Sequence, residues 1–203
     1  MRRIVHLLRH ARSAFAERFW TAVARLRLAC LGVKVGPRLR VTGPLLLNVH
    51  PSATVEIGPD CTLHSGFAVN PVGGDRRMSI WVGAHATLRI GANVGISNAT
   101  LVAMKEVNIG DDVRIGGEVQ VFDTDFHSLT IDERLARPDL GVRKAPVHIG
   151  RGAFIGTRAV ILKGSVVGDE AVLGASAVIS GNVPSREIWA GNPARCLRTL
   201  SRS

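Results

Sequence analysis

Residues 149–184 read IGRGAF-IGTRAV-ILKGSV-VGDEAV-LGASAV-ISGNVP, so an aliphatic side chain opens every group of six. An α-helix buries residues three and four apart and a half-exposed strand buries every second residue, so neither accounts for this period. The fifth position of each group is small or compact: Ala153, Ala159, Ser165, Ala171, Ala177 and Val183. One large and one small inward side chain per hexapeptide predict short strands that stack as the rungs of a narrow solenoid.

The same period continues towards the N terminus in two further groups of aliphatic residues. These are Ile109, Ile115 and Val121, and Ile90, Ile96 and Val102. Two stretches interrupt the repeat, residues 70–79 and residues 122–147, and a long excursion from a compact solenoid is usually either disordered or functional. The second begins with Asp-Thr-Asp-Phe-His, which favours a function. We therefore expect an all-β solenoid over residues 41–200, with a loop excursion at 122–147.

The composition suits a single globular domain. The 203 residues are 46% hydrophobic, enough to fill a core, and only 4% aromatic, as expected of a narrow aliphatic prism. Cys30, Cys61 and Cys196 are isolated and odd in number. They indicate a reducing compartment and argue against a disulfide framework or a Cys-type zinc site. We expect a cytoplasmic protein.

The positive charge is concentrated in one terminal segment. Residues 1–40 contain ten basic residues and one acid, Glu17, whereas the whole chain has a net charge of only +10. Apolar residues recur at helical spacing in this segment: Ile4, Leu8, Ala11, Phe15, Phe19, Ala22, Leu26 and Ala29. The pattern predicts a basic amphipathic helix that ends near Gly32, within an N-terminal helical segment of residues 1–40.

Two roles fit this helix. Residues 1–31 can lie in the interface of an anionic membrane, or Phe15, Phe19 and Trp20 can pack on an end of the solenoid or on a neighbouring subunit. The arginines interrupt every apolar run far short of the roughly twenty residues that span a bilayer. A clean apolar stretch with a small-residue cleavage site, the mark of a secretory signal, is missing from the sequence. Basic residues do not interleave with aromatics across the body, so nucleic acid is not expected as a partner.

Three further motifs carry a resemblance to a known family. They are VFDTDFHS at residues 121–128, APVHIGRGAFIG at 145–156 and WAGNPAR at 189–195. With the hexapeptides, they make residues 45–200 similar to the left-handed β-helix acyltransferases, and most of all to the branch of maltose, galactoside and nodulation-factor O-acetyltransferases. The basic leader resembles, more weakly, that of polysaccharide and lipopolysaccharide O-acetyltransferases. The resemblance implies a left-handed parallel β-helix of hexapeptide repeats.

His127 is the candidate catalytic residue. A sugar hydroxyl is a weak nucleophile until a base takes its proton during attack on a thioester. An imidazole titrates near neutrality, so it can accept that proton and pass it to the departing thiolate. In the family a His at the matching position acts as this base, and the acyl group goes directly to the acceptor. The alternative is a surface histidine at the base of a loop.

The candidates for acceptor binding are Asn98, Glu133 and Asp125. The resemblance matches Asn98 to a family Asn that contacts the acceptor hydroxyl, and an amide both donates and accepts. The alternative for Asn98 is a solenoid corner with left-handed backbone, which Asn tolerates. Glu133 matches a Glu that orients the His or the sugar, against the alternative of a solvated loop acid. Asp125 or Asp123 can orient the imidazole instead, and the sequence does not choose.

By the same resemblance the acyl donor is acetyl-CoA. Its pantetheine arm is expected to run along the later rungs, past Thr157 and Ala175, in a groove between the subunits of a homotrimer. Arg195 and Arg198 match basic residues that meet the nucleotide phosphates, to which guanidinium groups are suited. The alternative for both arginines is a basic C-terminal tail.

The sequence therefore predicts an acetyl-CoA-dependent O-acetyltransferase that acts on a sugar of a cell-surface polysaccharide, lipopolysaccharide or precursor, at the cytoplasmic face of the inner membrane. Two acids that follow the acceptor Asn in the family are Ala103 and Met104 here, so the acceptor pocket is expected to differ from that of its relatives. One alternative is N-acetylation of a nucleotide-linked amino sugar. A non-catalytic β-helix scaffold is another. A carbonic anhydrase is a third, but it needs three His ligands for zinc, and no metal is expected.

Overall fold

The chain folds as one long helix followed by a stack of short strands. The computed structural model describes residues 2–67, 74–138 and 140–201, with side chains from residue 14 onward. Helix α1 spans Arg2–Cys30, and helix α2 spans Ile131–Leu135. The described strands, β1 to β21, form three sheets, named A, B and C.

Each sheet takes every third strand of the chain. Sheet A consists of β1 (Lys34–Val35), β4 (Thr54–Ile57), β7 (Thr87–Ile90), β10 (Glu106–Ile109), β13 (Val147–Ile149), β16 (Val166–Val167) and β19 (Asn182–Val183). Sheet B consists of β2 (Arg40–Thr42), β5 (Thr62–His64), β8 (Gly95–Ser97), β11 (Arg114–Ile115), β14 (Phe154–Ile155), β17 (Val172–Leu173), β20 (Glu187–Gly191) and β21 (Ala194–Thr199). Sheet C consists of β3 (Leu46–Val49), β6 (Ser79–Val82), β9 (Thr100–Ala103), β12 (Gln120–Phe122), β15 (Val160–Ile161) and β18 (Val178–Ile179).

The parallel register stacks the aliphatic positions of successive hexapeptides. Ile109 pairs with Ile149 in sheet A, and Ile155 pairs with Leu173 in sheet B. These side chains are buried, and so are the compact residues predicted beside them: Ala153, Ala159, Ser165, Ala171, Ala177 and Val183. The predicted left-handed β-helix, with one large and one small inward residue per hexapeptide, is confirmed.

Glycine follows the aliphatic position because successive turns approach too closely for a side chain. A Cβ on Gly150 would lie 2.6 Å from the backbone nitrogen of Asp169, and one on Gly156 would lie 2.7 Å from that of Ala175. Both distances are far inside van der Waals contact, so these turns require glycine.

The C-terminal half of α1 closes the N-terminal end of the prism. Ala24 and Leu28 are buried in the apolar core that the strands form. Thr21 Oγ1 accepts a hydrogen bond from the Val41 N–H at 2.9 Å, which joins the helix to β2. Strand β1 already begins at Lys34, so the solenoid starts earlier than the predicted boundary between residues 40 and 41. The boundary from charge was wrong because basic residues also occupy outward positions of the first rung.

From Phe15 onward, the predicted apolar stripe of α1 faces away from this contact. Phe15 is 73% exposed, Phe19 is 51% exposed and Leu26 is 68% exposed. Trp20 is half-buried and meets Phe19 edge-on, with 5.1 Å between ring centroids. The interpretation that Phe15 and Phe19 pack on the end of the chain's own solenoid is therefore wrong. The first stripe residues lie outside the described side chains: Ile4, Leu8 and Ala11.

Both predicted interruptions of the repeat fall between strands. The first lies between β5 and β6, and residues 68–73 of it are outside the described part of the chain. The second lies between β12 and β13, at residues 123–146, and contains α2. The excursion predicted at 122–147 thus has the expected bounds to within a residue at each end.

Candidate active site

Two corners of the prism hold most of the predicted site residues. The B–C corner is the column of turns that lead from a strand of sheet B to the next strand of sheet C. The C–A corner is the column of turns that lead from sheet C to sheet A. Because neighbouring strands lie about 4.8 Å apart, equivalent positions of successive turns stack one above another.

The B–C corner brings together three predicted residues. Asn98 lies in the turn between β8 and β9, Thr157 between β14 and β15, and Ala175 between β17 and β18. Thr157 Oγ1 donates to the carbonyl oxygen of Gly117 in an adjacent turn at 2.6 Å, and Ser176 N donates to the Thr157 carbonyl oxygen at 2.8 Å. These bonds tie the turns into one column. Its residues Asn98, Gly117, Thr157 and Ala175 are called the B–C track below.

Asn98 serves the backbone of this corner. Its φ of 46° is left-handed, and its side chain is only 1% exposed. Asn98 Oδ1 accepts a hydrogen bond from the Gly66 N–H at 2.7 Å, and the Asn98 N–H donates to the His64 carbonyl oxygen at 2.9 Å. Within a single chain Asn98 therefore acts as a corner residue with left-handed backbone, which was the alternative interpretation. Contact of Asn98 with an acceptor stays a prediction.

Arg195 and Arg198 lie on β21, beyond the end of the B–C track. A Cβ on Gly174 would lie 2.8 Å from the Cβ of Ala190, so β20 continues the column above that turn. Arg195 pairs with Ala190 across the antiparallel strands β20 and β21, whereas Arg198 pairs with Ile188 nearer the beginning of β20. Both arginines are exposed. Arg195 thus extends the track, and Arg198 lies to one side of it.

At the C–A corner the long excursion leaves and re-enters through a short paired stem. Ala145 N donates to the Asp123 carbonyl oxygen at 2.9 Å, and Asp125 N donates to the Arg143 carbonyl oxygen at 3.1 Å. Because the two ends pair with each other, residues 126–142 are held at their base on the edge of the prism.

Asp123 fixes the C–A corner. Its side chain is fully buried and accepts three backbone N–H bonds, from Met104 at 2.7 Å, Lys105 at 2.6 Å and Glu106 at 2.7 Å. Burial raises the pKa of Asp123, and the three N–H bonds act in the opposite direction. The carboxyl group is fully used in stabilising the turn between β9 and β10, so we assign it a structural role at this corner.

His127 follows the stem in a tight turn. Its N–H donates to the Asp125 carbonyl oxygen at 2.7 Å, and Phe126 between them has a φ of 63°. Left-handed backbone is costly at a bulky residue, and such strain concentrates at functional sites. The Phe126 ring packs edge-on against Phe122, with 5.2 Å between centroids, which secures the turn. The His127 side chain is exposed at the edge of the prism, as a general base must be to meet a substrate.

Asp125 and Glu133 each have a partner near His127 that the sequence reasoning missed. Asp125 Oδ1 forms an ion pair with Lys163 Nζ at 3.0 Å, and Asp125 Oδ2 is buried without a hydrogen-bond partner in the described part of the chain. Glu133 Oε2 accepts a hydrogen bond from Ser128 Oγ at 2.6 Å. A contact of Asp125 or Glu133 with an acceptor stays a prediction.

Within one chain the B–C corner and the C–A corner lie at opposite ends of the strands of sheet C. Strand β9 begins two residues after Asn98, and His127 comes five residues after the end of β12, the neighbour of β9 in the sheet. A four-residue strand spans about 13 Å. The B–C track and the His127 of the same chain are therefore separated by the width of the sheet.

Comparison with known proteins defines the family. The bacterial transferase hexapeptide (six repeats) model matches residues 146–181. Nodulation protein L of Rhizobium meliloti (strain 1021) is 34% identical over 140 residues, which cover 69% of this chain and 68% of that protein. Galactoside O-acetyltransferase of Escherichia coli (strain K12) is 29% identical over 131 residues, which cover 60% of this chain and 61% of that protein. The chain belongs to the hexapeptide-repeat acyltransferase family.

The matches differ in how much of each protein they include. This chain spans 39%, 48%, 57% and 61% of the lengths of the first four curated relatives that it matches. Among solved structures, AntD, an N-acyltransferase from Bacillus cereus in complex with dTDP and 3-hydroxybutyryl-CoA, has a TM-score of 0.67 at 16% identity. That match covers 88% of this chain and 89% of the other, and it shows a shared fold.

Proposed function

We propose that this chain is an acetyl-CoA-dependent O-acetyltransferase that modifies a sugar of a cell-surface polysaccharide or lipopolysaccharide, or of a precursor. The observation that carries the proposal is the B–C track, in which Thr157 and Ala175 occupy successive turns of one corner and Arg195 lies at its end. An extended pantetheine arm with nucleotide phosphates at one end matches this arrangement, because guanidinium groups suit phosphate oxygens. The galactoside O-acetyltransferase among the relatives supports transfer to a hydroxyl.

His127 supplies the base in this reaction. Its imidazole takes the proton of the acceptor hydroxyl as the oxygen attacks the thioester carbonyl carbon. A C–O bond forms, and the former carbonyl oxygen of the tetrahedral intermediate carries the negative charge. When the intermediate collapses, the C–S bond breaks and the imidazolium gives its proton to the CoA thiolate. The products are the acetyl ester and free CoA, without a covalent enzyme intermediate.

The complete site needs two chains. The B–C track and the His127 of one chain are about 13 Å apart across sheet C, too far for the imidazole to reach a thioester bound on that track. In a cyclic trimer of parallel prisms, the B–C corner of one chain can face the C–A corner of the next. The loop of residues 126–142 then places His127 over the neighbouring track. We propose a homotrimer with a site at each subunit contact.

A turnover assay tests the reaction class. Release of CoA from acetyl-CoA is followed with a thiol reagent against neutral pyranosides, amino sugars and nucleotide-linked amino sugars. Transfer to hydroxyl acceptors is the expected result. Transfer to amino groups alone would replace the proposal with the N-acetyltransferase alternative. If the protein did not bind CoA in calorimetry, the alternative of a non-catalytic scaffold would replace the proposal.

The carbonic anhydrase alternative has a separate test. Among the described residues, His, Cys, Asp and Glu side chains do not gather in groups of three or more that could hold a metal. Stoichiometric zinc in the purified protein, together with hydration of carbon dioxide, would overturn acyl transfer as the activity.

We further propose that α1 attaches the enzyme to an anionic membrane surface, at the cytoplasmic face of the inner membrane. The outward face of the helix carries Phe15, Phe19 and Leu26, each more than half exposed. Ala24 and Leu28, on the other face, cap the solenoid. The chain's own fold therefore leaves Phe15, Phe19 and Leu26 of the apolar stripe uncovered, as a helix that lies in a membrane interface requires.

The charge of this segment complements anionic lipid. Residues 1–40 contain ten basic residues, and their one acid, Glu17, is paired with Arg40 through two bonds of 2.8 and 2.9 Å. Each basic residue near an anionic surface contributes about 1 kcal/mol. None of the described helices combines the length and the apolarity that crossing a bilayer takes.

Vesicle co-sedimentation tests the attachment. Because Ala24 and Leu28 cap the core, deleting residues 1–31 would uncover the solenoid, so point substitutions are the sharper tool. The double variant Phe15→Glu, Phe19→Glu is expected to stay in the supernatant with vesicles of phosphatidylcholine and phosphatidylglycerol, whereas the wild type sediments. Leu129→Glu, at a side chain 75% exposed on the excursion, is the matched control. Equal sedimentation of the double variant and the wild type would contradict the proposal.

A further inference from the structure

A pocket of about 400 Å³ opens on the outer face of sheet B, beside the B–C track. Its volume falls in the range of about 300–1,000 Å³ that is usual for small-molecule sites. Outward residues of successive rungs stand in one column here: Arg40, Thr62, Gly95, Arg114 and Phe154. Gly95 has no side chain, so the column has a gap between Thr62 and Arg114, and the Arg114 side chain leans over that gap.

The pocket has hydrogen-bonding groups on its sides. His64 Nδ1 is bonded to Thr42 Oγ1 at 2.7 Å, which leaves Nε2 for a ligand. Burial, and then the charge of Arg40, lower the pKa of His64, so the ring is neutral at physiological pH and can donate or accept. Arg114 crosses the gap at Gly95, and its Nη1 donates to the Asn93 carbonyl oxygen, so the guanidinium group is anchored at the rim.

Asp60, the carboxylate that lines the pocket, and Glu17, which lies near His64, are already paired with arginines. Asp60 accepts two hydrogen bonds from Arg38, and Glu17 accepts two from Arg40. The other side chains that line the pocket are neutral or cationic. A cation that would need an unpaired carboxylate does not suit this pocket, whereas hydroxyl groups do.

Phe154 forms one end of the pocket. Its ring is 51% exposed although it lies on a strand of the solenoid, in a chain with only 4% aromatic residues. A pyranose ring has an apolar face of C–H bonds and a rim of hydroxyl groups, so it can cover an aromatic ring while its hydroxyls meet polar side chains. An aromatic surface with a few placed polar groups is the usual composition of a small-molecule site.

The pocket shares a wall with the B–C track. Ser97 lines the pocket and directly precedes Asn98, and the Asn98 N–H donates to the His64 carbonyl oxygen at 2.9 Å. A ligand in the pocket is therefore next to the corner along which the donor is proposed to lie.

We propose that this pocket binds the pyranose ring of the acceptor, with one ring face on Phe154 and hydroxyl groups against His64 and Arg114. The inference rests on the proposed function, and it names the side chains of this chain that select the acceptor. It also places the acceptor on the face of sheet B, over the strands β5 to β14, rather than in the turns that form the B–C track.

Saturation-transfer NMR on the full chain tests the pocket, with methyl glycosides of glucose, galactose, mannose and rhamnose as probes. CoA affinity is measured in parallel by calorimetry. Phe154→Ala is expected to weaken binding of a pyranoside about tenfold, which corresponds to about 1.4 kcal/mol, and to leave CoA affinity unchanged. Gly95→Val, which places a side chain against Arg114 inside the pocket, is expected to do the same. Phe15→Ala, at an exposed phenylalanine on α1, is the matched control.

Each outcome decides one of the two proposals. Equal pyranoside binding by Phe154→Ala and the wild type overturns the pocket, and so does a wild type that binds CoA but none of the four glycosides. A wild type that binds a pyranoside through Phe154 but binds no CoA keeps the pocket and overturns the acetyltransferase proposal. If Gly95→Val does not fold, Phe154→Ala still decides, because its side chain is half exposed and its loss leaves the core intact.

Discussion

The B–C track and the C–A corner are built from the same hexapeptides, yet the side chains that they present differ. The B–C track is a column of small or uncharged residues, tied from turn to turn by the Thr157 hydroxyl and by backbone hydrogen bonds. The C–A corner holds the buried carboxyl of Asp123, the ion pair of Asp125 with Lys163, and the excursion that carries His127. Repetition thus produces a surface along which a long ligand can lie, and the interruption between β12 and β13 brings His127 to the edge of the prism.

The largest effect is expected at His127, because proton transfer is assigned to the C–A corner alone. His127→Ala should lower kcat by about 10²- to 10⁴-fold, the usual contribution of a general base. CoA affinity in calorimetry should not change, since His127 is not part of the B–C track. His85→Ala, at an exposed histidine elsewhere on the prism, is the control and should keep full activity. A matching loss of CoA affinity in His127→Ala would contradict the assignment of donor binding and proton transfer to different corners.

A smaller effect, on stability, is expected at Asp123. In Asp123→Asn an amide group replaces one of the oxygens that accept the three backbone N–H bonds, so at least one buried donor loses its partner. This should lower the free energy of unfolding by about 1–3 kcal/mol, measured by urea denaturation. Asp132→Asn, at an exposed residue of α2, should change little. If the two variants were equally stable, Asp123 would not be what shapes the C–A corner.

The smallest effect is a pH dependence next to the B–C track. The folded state lowers the pKa of His64 through burial and the charge of Arg40. A group of this kind stabilises the fold fully above its unfolded pKa of about 6.5, and the contribution is lost as pH falls through the folded pKa. The Tm of the wild type should therefore fall more between pH 7.5 and pH 5 than the Tm of His64→Gln. His50→Gln, at an exposed histidine, should follow the wild type.

The regular part of the fold could be predicted from the sequence because every turn imposes the same local demand. Glycines such as Gly150 and Gly156 are six residues apart, and so are small residues such as Ala153 and Ala159. The strand register that this spacing predicts is the one observed. The boundary of the first rung could not be predicted in this way. It depends on Ala24 and Leu28 of α1 entering the core beside strands that follow them in sequence, which is a tertiary contact.

For the candidate site, the sequence predicted which elements carry the residues but not how these residues are arranged in space. His127 lies in the excursion, and Thr157 and Ala175 lie on the later rungs, as the hexapeptide period indicated. Their roles in the reaction stay predictions. Asp125 and Lys163 are far apart in sequence and are brought together by the pairing of β12 with β15. A local sequence pattern therefore does not predict their ion pair. The separation of the two corners across sheet C is likewise a property of the stacked rungs.

Subunit complementation tests most directly whether the B–C track of one chain works with the His127 of another. His127→Ala chains are mixed with Ala175→Trp chains, in which a bulky side chain at an exposed turn position blocks the track. Each variant alone should be inactive. If every site combines the track of one chain with the His127 of its neighbour, randomly mixed trimers should regain about a quarter of wild-type activity, since about one site in four is intact. Activity of the mixture no higher than that of the separate variants would contradict the account.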